Sequence, residues 1–173
     1  TARFISRKLA ERFVADDPPP ELIDRMAKTF LEKKGDIRAV LETAFSSKEF
    51  FSQGAYRAKV KTPFEMIVSA VRATGADVDF TFALANRLTQ LGEPLYRKLE
   101  PTGYSNLSAE WMNSASLLAR MNFALDLAQN HVQGIKVDPT AFSNDPTQAA
   151  KQILFHAPSP ESEAAMERAL AAA

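Results

Sequence analysis

Cysteine is absent from the chain, and histidine occurs only at His131 and His156. No disulfide, cysteine-ligated zinc or thiol nucleophile is available, and the redox compartment stays open. Neither histidine has metal-ligand spacing around it. Both are expected at or near helix C-termini, where the partial negative charge favours an imidazolium. The six glycines form no phosphate-cradling loop. No apolar run approaches the roughly eighteen residues that suggest a membrane-spanning helix. Neither a metal nor a cofactor is expected, and no membrane span.

Charge of one sign is also lacking. The 21 Lys and Arg balance 21 Asp and Glu, which disfavours a dedicated nucleic-acid binder, a class that usually carries a basic excess. The balance hides an asymmetry. Residues 1–61 hold thirteen basic against nine acidic side chains, leaving residues 62–173 with eight against twelve. Opposite signs in the two parts favour a single packed unit.

What is present is helical periodicity, with strand alternation almost missing. Twelve phenylalanines in 173 residues supply core-filling volume. The first helix is under way by the second residue, with Ile5, Leu9 and Phe13 on one face, and Pro18, Pro19 and Pro20 stop it. Residues 21–34 restart a helix with Leu22, Ile23, Met26, Ala27, Phe30 and Leu31 as its apolar stripe, and Gly35 closes it. Asp36 caps a third helix bearing Ile37, Val40, Leu41, Ala44 and Phe45, followed by a short turn with Phe50 and Phe51. Thr62-Pro63-Phe64-Glu65 reads as a capping box opening a helix that Gly75 ends.

A sixth helix is expected from about Val78 to Leu91, with Phe80, Leu84, Leu88 and Leu91 inward. A long helix then runs from Ser108 or Ser114 to Asn130, with Leu117, Leu118, Met121, Leu125 and Ala128 inward. Two shorter helices follow, starting at Asp145-Pro146 and Ser159-Pro160, and Ala171 to Ala173 fray or continue. The fold class is all-α, an irregular orthogonal bundle of seven to nine helices. It forms one helical domain over 1–173, with a basic subregion at 1–61, central helices at 62–130 and short helices at 131–173. A chain that opens inside a helix is expected to be a C-terminal fragment of a longer protein.

Few residues carry chemistry. Gly103-Tyr104-Ser105 starts like a nucleophile elbow, but Leu107 stands where its second glycine is needed. Asp77-Val78-Asp79 lacks the further ligands of a calcium loop. No catalytic residue is assigned. One basic constellation remains: Arg57, Lys59 and Lys61, which in an extended strand point one way, lead to the helix start at Thr62. Free amides and cations there suit an anion, whereas a solvated basic face is the plainer account. Arg3, Arg7, Lys8 and Arg12 form a second basic row, interrupted by Glu11. Trp111, Arg120 and Asn122 make a buried polar cluster, in which Arg120 needs a carboxylate or carbonyl partner.

Several segments together resemble the last third of a bacterial family of domains of unknown function, number 1800. They are residues 1–20, Gly35 to Leu41, Arg57 to Pro63, Leu91 to Leu95, Pro101 to Tyr104 and Leu117 to Ala124, and the resemblance runs in order over about residues 1–130. It implies a bacterial source, a longer and often exported parent, and a His-Pro pair just before Thr1. It transfers no catalytic role.

Three functions follow as expectations. The first is a structural or protein-interaction module that binds an upstream domain of the same parent or another protein, predicting an exposed apolar patch. The second is part of an exported or periplasmic enzyme acting on an anionic or polymeric substrate. The third, disfavoured by neutrality, is nucleic-acid binding.

Overall fold

The computed structural model describes residues Thr1–Ala171, and among these nine α-helices carry the fold, as the periodicity predicts. The expectation for the last residues extends to positions 172 and 173, which lie outside the described residues. Two compact units make up the chain. One combines Thr1–Thr62 with Arg97–Leu117, the other Pro63–Tyr96 with the chain from Leu118 onward. The continuous subregions 1–61, 62–130 and 131–173 do not describe these units, because residues 97–117 return to the first.

The first unit is built on α1 (Ala2–Phe13), α2 (Pro20–Glu32) and α3 (Ile37–Phe45). Its core joins Ala10 and Val14 to Leu22, Ile23, Met26, Val40 and Ala44. The buried face of α1 is rotated by one position from the expected one. Ser6, Ala10 and Val14 point inward, while Phe13 remains 42% exposed. Small residues on that face leave α2 room to approach, a gain the larger side chains would forbid. The Ser6 side chain is fully buried, and its hydroxyl has no hydrogen-bond partner among the described residues. Helix α2 ends in a Schellman motif, with Gly35 N–H donating to the Phe30 carbonyl at 2.7 Å. The residue preceding Gly35 also adopts a left-handed conformation: Lys34 at φ 53°. A four-residue helix, α6 (Ser108–Trp111), completes this unit.

The second unit contains α4 (Pro63–Ala73), α5 (Phe82–Gln90), most of α7 (Ser114–Ala128), α8 (Pro146–Leu154) and α9 (Pro160–Ala171). Its core gathers Ile67, Leu88, Leu91, Phe123, Leu127, Val132, Ile135 and Val137. Two short strands, β1 (Asp77–Val78) and β2 (Ile135–Lys136), pair antiparallel with Val78 opposite Ile135. This corrects the helix expected from Val78. Position 78 is a strand, α5 starts only at Phe82, and Phe80 is exposed rather than inward. The approach is close: Gly134 has φ 70°, and a β-carbon there would sit 2.5 Å from the Phe80 β-carbon. Its carbonyl accepts the Asp79 amide at 2.8 Å.

Helix α7 departs furthest from the expected packing. Phe123 and Leu127 are its buried residues, whereas Leu117, Leu118, Met121 and Leu125 all lie outside. The helix is apolar around almost its whole circumference, so periodicity could not say which side faces the core. No helix of the described residues is long and apolar enough to cross a membrane.

Candidate functional site

Lys59 is one of the sequence-selected cations, and Asp16 and Asn106, which it bonds, lie in the first unit. The proline stop after α1 leaves Asp16 in the loop, half-buried. One carboxylate oxygen of Asp16 takes the Lys59 ammonium, and the other accepts the Ser108 amide at 2.7 Å. Lys59 also donates to the Asn106 carbonyl at 2.5 Å. The Val60 amide donates to Ser108 Oγ at 3.3 Å, and Arg12 reaches Asn106 Oδ1 at 3.2 Å. Trp111 also holds this segment, its indole N–H donating to the Ser105 carbonyl at 2.8 Å. Residues 105–107 and the start of α6 at Ser108 are thus fastened to the loops at Asp16 and Lys59.

The electrostatics follow from this geometry. Partial burial pushes the Asp16 carboxyl up, but the Lys59 ammonium and the Ser108 amide and hydroxyl outweigh it and hold the group below its ordinary range. Glu11 behaves alike. Burial raises it, and hydrogen bonds from Arg7 at 2.8 Å and Lys8 at 3.1 Å lower it further than burial raises it. The residue that interrupts the basic row of α1 therefore binds two members of that row. A third, Arg3, pairs with Asp24 at 3.2 Å.

Arg57, Lys59 and Lys61 do not form the extended row anticipated for them. Arg57 is left-handed at φ 57°, and its guanidinium lies 5.2 Å from the Tyr56 ring centre. Lys61 is exposed and Thr62 buried. In the second unit, the helix start after Thr62 does meet an anion, supplied by the chain itself. Glu93, nearly buried, accepts the Phe64 amide at 2.7 Å, satisfying one of the four donors a helix leaves open.

Of the second cluster, Trp111 belongs to the first unit, and Arg120 and Asn122 to the second. Arg120 Nη1 lies 3.5 Å from Met66 Sδ. Burial lowers its basicity, and the Glu93 charge partly restores it. Glu93 is thus a carboxylate whose charge favours the Arg120 guanidinium. Asn122 lines a shallow cavity of about 140 Å³ with Arg87, Gln90, Leu91, Ala119 and Phe123. Arg87 is engaged there by Asp126 at 2.6 Å.

The remaining motifs have structural roles. Ser105 Oγ accepts the Leu107 amide at 3.0 Å, closing a turn, and Asp77 and Val78 form β1. His131 follows the end of α7, its amide donating to the Asp126 carbonyl at 2.7 Å. His156 Nδ1 lies 2.7 Å from the Ala157 carbonyl oxygen. No group of three or more His, Asp or Glu able to hold a metal occurs among the described residues.

Sequence reasoning missed Asp16, Asn106, Ser108, Glu93 and Asn130. Asn130 is left-handed at φ 58°, and its side chain bonds both the amide and the carbonyl of Val137, at 2.6 and 3.0 Å. Its position just past the last periodic residue was the available signal.

The family model described as Protein of unknown function (DUF1800) matches residues 1–173, the whole chain. The match therefore continues past Asn130, where the sequence resemblance ends. No curated protein and no solved structure matches the chain.

Proposed function

The chain belongs to this bacterial family of unknown function, and on that premise we propose that it is a helical structural or protein-interaction module of a larger protein. The observation that carries the reading is the outward face of α7. Leu118, Met121 and Leu125 stand three and four residues apart along the helix and are 59%, 57% and 57% exposed. A helix apolar on nearly every side is ordinarily buried on every side, and contiguous exposed apolar surface marks an interaction site. The partner is the remainder of the parent protein or a second protein, and export of the parent is part of the same proposal.

Met121 makes the test direct. In residues 1–173 alone, hydrogen peroxide is expected to oxidise Met121 readily, because thioether oxidation follows exposure. Met26, fully buried in the first unit, serves as the slow control. In the parent protein, Met121 oxidation is expected to slow at least fivefold. Equal rates in both contexts exclude the remainder of the parent as the partner and leave only a second protein.

A further inference from the structure

The segment that returns to the first unit is attached to it differently from the way the helices there are attached to one another. Helices α1, α2 and α3 share an apolar core, and among the described residues no side chain of that core comes from residues 97–117. Within residues 97–111, Trp111 alone is buried, while Leu99 and Leu107 are 95% and 40% exposed. Residues 97–107 have neither helix nor strand, and the four residues of α6 are too few to hold a helix by themselves.

Polar contacts tie the segment down at Asn106 and Ser108. The Asn106 carbonyl accepts Lys59 at 2.5 Å, and its side chain accepts Arg12 at 3.2 Å. Ser108 donates its amide to Asp16 at 2.7 Å and accepts the Val60 amide at 3.3 Å. Asp16 and Lys59 also bind each other. Each member of the pair therefore holds one attachment point directly and steadies the residue that holds the other. Loss of either charge loosens both points together.

The segment is also braced within itself. The Trp111 indole donates to the Ser105 carbonyl at 2.8 Å, the Leu107 amide donates to Ser105 Oγ at 3.0 Å, and the Tyr104 and Trp111 rings lie 5.9 Å apart. These contacts need nothing from α1, α2 or α3, so they persist when the segment leaves.

The balance of costs then decides what opens first. Asp16, Lys59, Asn106 and Ser108 are half-buried, and hydrogen bonds within reach of water exchange for bonds to water at a small net cost. Opening the core instead exposes Leu22, Met26 and Val40, all fully buried. We infer that residues 97–111 form a strap that releases as one piece while α1, α2 and α3 stay folded, and that the Asp16–Lys59 pair is its latch. One ion pair thus controls whether Asn106 and Ser108 are held against the first unit or turned to solvent. Leu118, Met121 and Leu125 play no part in this switch, so it stands or falls separately from the proposed function.

The test is amide hydrogen exchange of the 173-residue chain, followed by NMR at one pH and temperature. Val60 and Ser108 report the strap, and Met26 within α2 reports the helices. Asp16→Asn is expected to speed exchange at Val60 at least fivefold, although the Val60 amide bonds Ser108 rather than Asp16. Lys59→Met is expected to speed Ser108 at least fivefold, although that amide bonds Asp16 rather than Lys59. Val40→Ala weakens the core, and is expected to speed Met26 at least tenfold while Val60 and Ser108 keep their rates. Ala44→Gly takes its place should Val40→Ala not fold. Two results overturn the inference. In one, Asp16→Asn leaves Val60 unmoved and Lys59→Met leaves Ser108 unmoved, so the ties break one at a time and there is no latch. In the other, the core variant speeds Val60 and Ser108 as much as Met26, so strap and helices open only together.

Discussion

The amide of Phe64, in the first turn of α4, donates to Oε2 of Glu93 at 2.7 Å. Glu93 comes immediately after the turn that ends α5, so one short loop terminates one helix and caps another. Glu93→Ala leaves a partly buried helix donor unmet and removes the charge that supports Arg120. It is expected to cost about 1–3 kcal/mol. Glu93→Gln keeps an acceptor but loses the charge that favours a helix N-terminus, and is expected to cost only about 0.3–1 kcal/mol. Denaturant melts of the two variants check the order, and a Gln variant as damaged as the Ala one contradicts it.

The Asp16–Lys59 pair makes a prediction about pH. The folded-state pKa of Asp16 is lowered, so its contribution is present above the unfolded value of about 3.9 and is lost as pH falls through the lower folded value. Asp16→Asn is expected to destabilise the protein by about 1–2 kcal/mol at pH 7, since both partners retain some exposure to water. The gap between wild type and variant should stay constant from about pH 5 to 7 and narrow as pH falls below the unfolded value of about 3.9, closing once it is below the lowered folded value. Thermal melts across that range measure it. A gap that persists at the acid end shows that shape rather than charge holds the loop.

Ser6 leads to an unusual expectation, a gain. Its hydroxyl is buried without a partner, and alanine is both smaller in polarity and a better helix former. Ser6→Ala is expected to raise stability by about 0.5–1 kcal/mol, or roughly 1–4 °C for a chain of this size. Ser6→Val fills the space that α2 needs and is expected to cost about 1–3 kcal/mol. Differential scanning calorimetry separates the two signs.

Much of the helical content was legible because local signals sufficed. Asp36 and Asp145 cap their helices as read, accepting the Arg38 and Thr147 amides at 2.9 and 2.8 Å. The glycine ends at Gly35 and Gly92 also fell where expected, whereas Pro20, read as part of the stop, opens α2. What failed was facing. Ile5, Leu9 and Phe13 form a good stripe, yet the adjacent small-residue stripe gives α2 the closer approach. On α7 apolar residues fall on several sides, and only tertiary contacts choose Phe123 and Leu127. The two-residue strands β1 and β2 are too short to show alternation.

The candidate site was half legible. Lys59 and Trp111 stood out by type and context, but their acceptors are the carbonyls of Asn106 and Ser105, and main-chain groups carry no mark in a sequence. Asp16 and Ser108 are ninety-two positions apart, and nothing local announces such a pair.

The threading of the chain through its two units carries a consequence for synthesis. On the ribosome, residues 1–62 emerge before residues 63–96, but the segment that fastens Asp16 and Lys59 arrives only after residues 63–96 have been made. At about 5–20 residues per second that delay is a matter of seconds. During it the nascent first unit holds an ammonium and a carboxylate awaiting Asn106 and Ser108, and translation speed across residues 63–96 sets how long that incomplete state lasts.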